Sequence, residues 1–186
     1  MKSNILPVRG IYPKWGKDCF IAPSATLAGD VVLGDRCSVW FNAVIRGDVH
    51  TITIGNDTNI QDGAILHGTY GRASVNIGSG VSIGHRAIIH GCTIEDDVLI
   101  GMGAILLDNC KIGKGCLVGA GSLVLENSEL EPGYLYAGSP ARKIKPVSDS
   151  QKEIILRTAA RYPEYGNWYG GIGTAEQNHF FTSKPD

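Results

Sequence analysis

Residues 94–130 read IEDDVLIGMGAILLDNCKIGKGCLVGAGSLVLENSEL, with an aliphatic residue at every sixth position. The same spacing extends back to Trp15, with short insertions and one deletion, and gives nineteen hexads. The markers are Trp15, Ile21, Leu27, Leu33, Val39, Ile45, Ile54, Ile60, Leu66, Ile77, Ile83, Ile89, Ile94, Ile100, Leu106, Ile112, Val118, Val124 and Leu130. Neither a helix of period 3.6 nor a continuously alternating strand produces this spacing. It predicts a β-helix of hexapeptide repeats.

A small or β-branched residue follows most markers by four positions, as in Ala25, Cys37, Val49, Ala87 and Thr93. Three hexads would form one triangular coil, in which the marker points inward and the small residue lets the chain turn a corner. Stacked coils would share main-chain hydrogen bonds about 4.8 Å apart. We therefore expect an all-β fold, a parallel β-helix with a continuous aliphatic core.

The composition fits one compact domain, because 43% of the 186 residues are hydrophobic. We assign residues 1–146 to the β-helix and residues 147–186 to a C-terminal helix and tail that pack on it. No apolar run approaches the roughly 20 residues of a membrane span. The formal charge of −1 and the lack of a basic run argue against a nucleic-acid partner. With no leader segment, a cytoplasmic protein is expected.

A helix is expected over residues 148–162. Ser150 and Glu153 are spaced as a capping box, and Pro163 is placed to stop the helix. The segment beyond Tyr165 has no clear period, and either docks on a neighbouring subunit or stays loose.

The cysteines do not indicate a disulfide framework or a thiolate zinc site, because their number is odd and no CxxC pair exists. Four of them, Cys19, Cys37, Cys110 and Cys116, fall on the small inward position, where a thiol acts as a modest hydrophobe. Cys92 falls off that position.

Polar side chains follow the markers of one face on three successive rungs. Counting hexads, with residues 51–53 and 68–76 treated as bulges, places Arg46, His67 and His90 directly after these markers, pointing outward. Imidazoles on neighbouring rungs, about 4.8 Å apart, can reach one ion, because zinc lies about 2.0–2.1 Å from a ligand nitrogen. Two surface histidines on adjacent rungs can also arise without a metal.

A third histidine lies on the preceding face. Asp62 and His85 occupy the same offset on adjacent rungs there, beside Gln61. Within one chain, a path of up to about 16 Å separates His85 from His90, at about 3.3 Å per residue. A coil placed alongside can bring its own His85 to the stacked pair, and three such chains close as a cyclic trimer.

The chain resembles the gamma-class carbonic anhydrases and their bacterial carbonic anhydrase-like relatives. The resemblance covers residues 10–165 and rests on R-G-D at 46–48, N-I-Q-D at 59–62, H-G at 67–68 and G-H-R-A-I-I-H-G at 84–91. It implies a left-handed coil and a homotrimer. It further implies a metal bound by His67 and His90 of one subunit with His85 of the next.

The resemblance implies reversible hydration of carbon dioxide to bicarbonate by a metal-bound hydroxide. Zinc is the expected cofactor, with ferrous iron or cobalt as alternatives because three imidazoles do not select one metal strictly. Gln61 would orient the hydroxide, and Arg46 and Asp48 resemble an interfacial ion pair. The remaining candidate site residues are Asp62, as a partner of Arg46 from the adjoining chain, and Asn59 and Tyr162, as pocket-lining groups.

One departure weakens the hydratase interpretation. Strongly active family members carry one acidic residue just after R-G-D and another in the loop after the first histidine, proposed to export the proton. Here Val49 and the loop 68–76 hold no carboxylate.

Two other functions stay open. Hexapeptide acyltransferases share the coil, and A-G-S-P-A at 137–141, followed by Arg142, Lys143 and Lys145, recurs among them. Cleavage of acyl-coenzyme A thioesters is a related activity. The third possibility is a metal-binding trimeric scaffold with little hydratase activity.

Overall fold

The computed structural model describes residues 4–169 and confirms the parallel β-helix. The coil makes about seven turns and ends in one helix. Its left hand remains a prediction from the resemblance. His179 and the rest of residues 170–186 lie outside the described residues.

Each coil contributes a short strand to each of three faces. The first face contains β1 (Asn4–Leu6), the first part of β4 (Thr26–Leu33), the first part of β6 (Val44–Ile54), β8 (Ile65–His67), β11 (Ile88–His90), β14 (Ile105–Leu106) and β17 (Leu123–Val124). The second face contains β2 (Lys14–Trp15), the last parts of β4 and β6, β9 (Val75–Ile77), β12 (Thr93–Ile94), β15 (Lys111–Ile112) and β18 (Glu129–Leu130).

The third face contains β3 (Phe20–Ile21), β5 (Ser38–Val39), β7 (Asn59–Ile60), β10 (Ser82–Ile83), β13 (Leu99–Ile100), β16 (Leu117–Val118), β19 (Tyr134–Ala137) and β20 (Arg142–Pro146). Successive coils pair in parallel and in register, and β20 turns back antiparallel to β19. Helix α1 (Asp149–Asn167) contacts the third face. No helix in residues 4–169 is long and apolar enough to span a membrane.

The core consists of the predicted markers and the residue two positions before each. Ile45, Leu66 and Ile89 are fully buried, and so are Ala43, Ala64 and Ala87. Side chains two apart on a strand point to the same side, so both members of each pair enter the coil. The five cysteines are free and buried.

Two assignments to the small inward position were wrong. Thr93 is exposed and Cys92 lies inside the coil, while Val49 is half-buried and Ile52 takes the inward place. Insertions and deletions fall between a marker and the corner that follows it. The inward residue therefore always lies two residues before the next marker. Its separation from the previous marker changes from four residues wherever the repeat is interrupted.

The insertion predicted at residues 51–53 actually lies at residues 48–51. Gly29 of β4 pairs with Gly47, and Val31 pairs with Ile52, so four residues of β6 bulge opposite Asp30. The bulge lies at the corner between the first and second faces.

The helix boundaries also differ from the prediction. Ser148 is the N-cap, and it forms the capping box with Gln151 instead of the predicted Ser150 and Glu153. Pro163 lies inside α1, which continues to Asn167. The ring of Tyr162 packs 5.3 Å from that of Trp40, and the ring of Tyr165 lies 5.4 Å from Tyr162. These aromatic contacts stabilise the last turns, although proline removes one helical hydrogen bond.

Replacing Ser122 by alanine should stabilise the protein. Ser122 occupies an inward position where most coils hold alanine or cysteine, and its buried hydroxyl has no hydrogen-bond partner among the described residues. Removing an unpaired buried hydroxyl should raise the free energy of unfolding by about 1 kcal/mol.

Thr58→Ala is the matched control. The Thr58 hydroxyl donates to the carbonyl of Gly78 at 3.0 Å and accepts from the backbone N–H of Val81 at 3.2 Å. Its loss should lower the free energy of unfolding by about 1–3 kcal/mol. Urea unfolding of both variants measures the difference, and equal destabilisation by the two would contradict the prediction.

Candidate metal centre

Arg46, His67 and His90 stack on three successive rungs of the first face, as predicted. Arg46 pairs with His67 across β6 and β8, and His67 pairs with His90 across β8 and β11. The buried markers before them point inward, so these three side chains point outward. The regular coil thus places two imidazoles side by side on its outer surface, where both are partly exposed.

The facing ring nitrogens of the two imidazoles lie closer together than the rung spacing of about 4.8 Å. His67 Nδ1 lies 3.4 Å from His90 Nε2, and the ring centroids are 5.4 Å apart. Two nitrogens bound about 2.0–2.1 Å from a tetrahedral zinc lie about 3.3–3.4 Å apart. The observed separation therefore fits two ligands of one such ion.

The outer nitrogen of each ring is held by a carboxylate. His67 Nε2 lies 3.0 Å from Asp48 Oδ1, and His90 Nδ1 lies 2.7 Å from Asp108 Oδ1. An ionised carboxylate only accepts hydrogen bonds, so in the neutral form of each imidazole the proton lies on the outer nitrogen. The facing nitrogens then direct lone pairs at one point, and this arrangement favours a shared cation.

Both carboxylates remain ionised at neutral pH. Burial raises the pKa of Asp48, but hydrogen bonds from Arg46 and His67 outweigh burial and lower that pKa below its ordinary value. Burial also raises the pKa of Asp108, and hydrogen bonds from Thr69 and His90 lower it further than burial raises it. Arg46 forms an ion pair with the second oxygen of Asp48 within the same chain.

His85 and Asp62 lie together at a different corner of the coil. Both follow third-face strands at the same offset, and His85 Nδ1 lies 2.8 Å from Asp62 Oδ2. His85 is therefore also a partner of a carboxylate, and 43% of its side chain is exposed. No three His, Cys, Asp or Glu side chains within residues 4–169 are grouped to hold a metal.

Gln61 and Asn59 belong to the corner of His85. The side-chain oxygen of Gln61 accepts from the backbone N–H of His85 at 3.2 Å, and its Nε2 donates to Asn59 Oδ1 at 3.0 Å. Asn59 Nδ2 donates to Ser82 Oγ at 2.8 Å. This buried chain fixes the orientation of the Gln61 amide beside His85. Neither residue lies in the same stack as His67 and His90.

Helix α1 brings Tyr162 to the same corner. Burial and the neighbouring charge of Asp62 raise the pKa of Tyr162 to about 12, so its hydroxyl stays protonated at neutral pH. The helix thus adds a hydrogen-bond donor close to Asp62.

Asp108 is a site residue that was not predicted from the sequence. Its marker, Leu106, comes three hexads after Ile89, so Asp108 follows the rung below His90 on the first face. This count was available from the repeat.

The comparisons with known proteins agree with this architecture. The bacterial transferase hexapeptide family (six repeats) matches residues 16–47 and 91–126. The carbonic anhydrase of Geobacillus kaustophilus is 41% identical, covering 90% of this chain and 92% of that protein. Protein YrdA of Escherichia coli is 42% identical over 95% of this chain and all of its own length. The chain belongs to the gamma-class carbonic anhydrase family.

A solved structure adds a second comparison. A hexapeptide transferase family protein from Anaplasma phagocytophilum superposes with a TM-score of 0.82 at 33% identity, covering 91% of this chain and 99% of that one. Gamma-class carbonic anhydrases are lyase-type enzymes, so the family and this neighbour carry names from two enzyme classes.

In this gamma-class chain, the loop that follows His67 contains no carboxylate side chain. The backbone groups of Thr69 and Ala73 bond to each other in both directions, at 2.9 and 3.1 Å. Arg72 Nη2 reaches Glu126 Oε2 at 2.8 Å. The loop is therefore short and anchored on lower rungs, and Tyr70 is the large side chain it exposes.

The raised pKa of Tyr162 predicts a pH-dependent stability. The folded phenol ionises near pH 12 and the unfolded phenol near 10, so its contribution is present below pH 10 and is lost as pH rises through 12. Between about pH 9 and pH 11, the wild type should lose about 1 kcal/mol more than Tyr162→Phe, after allowance for partial exposure. Urea unfolding at both pH values tests this, and equal losses would contradict it.

Proposed function

We propose that this chain forms a metal-dependent carbonic anhydrase that interconverts carbon dioxide and bicarbonate at sites between subunits. The metal would be held by His67 and His90 of one copy and by His85 of a neighbouring copy. The observation that carries this proposal is the 3.4 Å separation of the facing nitrogens of His67 and His90, with their outer nitrogens held by Asp48 and Asp108.

The third ligand is assigned to a second copy because of where His85 lies. Its side chain is 43% exposed and sits at the third-face corner, separate from the first-face pair. A first face docked against this corner of a neighbour would complete the set of three histidines. Repeating the contact around a three-fold axis closes a trimer without leaving an unpaired surface.

The outward surface of the first face supports such a contact. Its outward residues in successive coils are aliphatic, namely Val44, Ile65, Ile88, Ile105 and Leu123. The corresponding residues of the second face are mostly polar, namely Thr53, Asn76, Thr93, Lys111 and Glu129. On the third face, Ser38, Asn59 and Ser82 are already buried.

An aliphatic row beside the two histidines is typical of an interaction surface. Ile65, for example, is 43% exposed in the single chain. A second copy is the occupant proposed for this surface, because the row continues directly from the incomplete set of ligands.

A divalent metal on three neutral imidazoles keeps its full charge and lowers the pKa of a coordinated water to about 7, which supplies a nucleophile at neutral pH. The chain's carboxylates would orient the imidazoles by accepting a hydrogen bond from one nitrogen of each ring, through Asp48 on His67, Asp62 on His85 and Asp108 on His90. Zinc fits this donor set, and ferrous iron or cobalt would fit it also.

The other site residues are assigned supporting roles. Gln61, fixed by Asn59, would present its amide beside the metal ligand His85 and orient the attacking oxygen. Arg46 holds Asp48 against His67 and would meet Asp62 of the neighbouring copy. Tyr162 would line the pocket next to Asp62. Carbon dioxide is small and uncharged, so positioning the nucleophile matters more than a deep binding pocket.

Hydration of carbon dioxide tests the proposal directly. Protein prepared without oxygen and loaded with zinc or with ferrous iron should catalyse hydration, and His90→Ala should lose both metal and activity. Because Val49 and the loop 68–76 hold no carboxylate, the rate should rise with the concentration of an imidazole buffer, which carries away the proton.

His50→Ala is the control for metal content. His50 Nδ1 accepts from the backbone N–H of Thr51 at 3.1 Å, and His50 lies outside the proposed ligand set. This variant should retain metal. Activity that is undetectable with either metal, in protein that binds metal, would overturn the hydratase proposal and favour the scaffold.

The interfacial origin of the ligands is tested by mixing two inactive variants. His85→Ala and His90→Ala homotrimers should each lack bound metal. When the two are unfolded together and reassembled, some interfaces combine an intact first-face pair with an intact His85. Those interfaces should bind metal, up to about a quarter of the wild-type content for random assembly. No recovery in confirmed mixed trimers would refute the shared site.

Acyl transfer from acyl-coenzyme A is the second candidate, favoured by the likeness to the Anaplasma phagocytophilum transferase-family protein. The basic residues that would meet coenzyme A phosphates lie on β20. Lys143 is already engaged there, since its Nζ lies 2.7 Å from Glu131 and 3.5 Å from the centre of the Tyr134 ring. Titration calorimetry decides the matter, because saturable binding of coenzyme A would favour transfer or thioester cleavage.

A further inference from the structure

Asp108 is a buried carboxylate whose two oxygens face two different parts of the chain. Its exposed fraction is 5%. Oδ1 lies 2.7 Å from His90 Nδ1, and Oδ2 accepts from the Thr69 hydroxyl at 2.6 Å. The carboxylate therefore bridges a first-face histidine to the loop that follows the other histidine of the stack.

The backbone next to His90 leaves room for this carboxylate. A Cβ atom on Gly91 would lie 2.4 Å from Asp108 Oδ1 and 2.6 Å from the Cβ of Ala73, and Gly91 has a φ of +56°. A side chain at position 91 would therefore displace either the carboxylate or the loop.

The loop is fastened at two points that can be separated by mutation. One is the bond from Thr69 to Asp108, and the other is the ion pair between Arg72 and Glu126. The second point is exposed and touches neither histidine. Substitution of Glu126 therefore tests loosening of the loop alone, whereas substitution of Asp108 also removes the acceptor for His90.

We propose that Asp108, held in place by the Thr69 hydroxyl, is the positioning residue that fixes the tautomer of His90. An acceptor at Nδ1 keeps the proton there, so the lone pair of Nε2 points toward Nδ1 of His67. Without that acceptor a neutral imidazole divides between two tautomers and rotates more freely. This inference rests on the proposed function, because His90 is taken as a metal ligand.

The test compares Asp108→Ala, Asp108→Asn, Thr69→Val and the control Glu126→Gln. Zinc affinity is measured by competition with a chelator, and the His90 tautomer is read from imidazole nitrogen shifts in metal-free protein. Asp108→Ala should bind zinc about 10- to 100-fold more weakly and lose the Nδ1–H tautomer. Thr69→Val should weaken binding by about tenfold or less. Glu126→Gln should stay within about twofold of wild type.

Asp108→Asn keeps the test valid if the alanine variant does not fold. Its amide oxygen can still accept from His90 Nδ1, so it should bind zinc more tightly than Asp108→Ala and retain the Nδ1–H tautomer. A merely structural role would lower the stability of both variants without changing the tautomer.

Two results would overturn the inference. One is equal zinc affinity of the Asp108 variants and Glu126→Gln. The other is an Nε2–H tautomer for His90 in metal-free wild type. If the wild type binds no zinc, the proposed function fails separately, and the tautomer measurement still decides the role of Asp108.

Discussion

Main-chain hydrogen bonding between successive coils, in register, is the constraint on which the rest of this structure depends. Each strand is only two or three residues long over most of the coil, so no strand is stable by itself. The register is kept because inward positions alternate strictly with outward ones. A slip of one residue would turn the buried aliphatic markers outward. Any side chain at a given offset is thereby stacked on its counterparts in neighbouring coils.

The candidate metal centre combines a regular column of stacked side chains with two interruptions of the repeat. Regular pairing brings Arg46, His67 and His90 into one column. The repeat is interrupted beside that column by the bulge at residues 48–51 and the loop at 68–74. These interruptions place Asp48 and Thr69, which a regular coil would not direct toward the histidines. The regular coil thus determines where the histidines lie, and the bulge and the loop contribute side chains that orient the imidazole rings.

The three histidines share one electrostatic feature, which is a hydrogen-bonded carboxylate partner. Each imidazole has its own carboxylate, and each carboxylate belongs to the same chain as its histidine. The tautomers can therefore be set within one chain before subunits meet. Asp48 and Asp108 are further stabilised as anions by Arg46 and Thr69. In the proposed trimer, each subunit contributes His67 and His90 on its first face and His85 at its third-face corner. Each of these histidines is already paired with a carboxylate of its own chain.

The sequence by itself determined the coil, the membership of each face, and the columns that hold His67, His90 and His85. It could do so because the repeat is local, and a fixed period converts sequence separation directly into position. Only the tertiary structure decided which ring nitrogen meets Asp48, Asp62 or Asp108, and that Ser148 instead of Ser150 caps the helix. It also showed that Cys92 lies inside the coil. These features depend on rotamers and on irregular corners, where the hexad no longer determines the path of the chain.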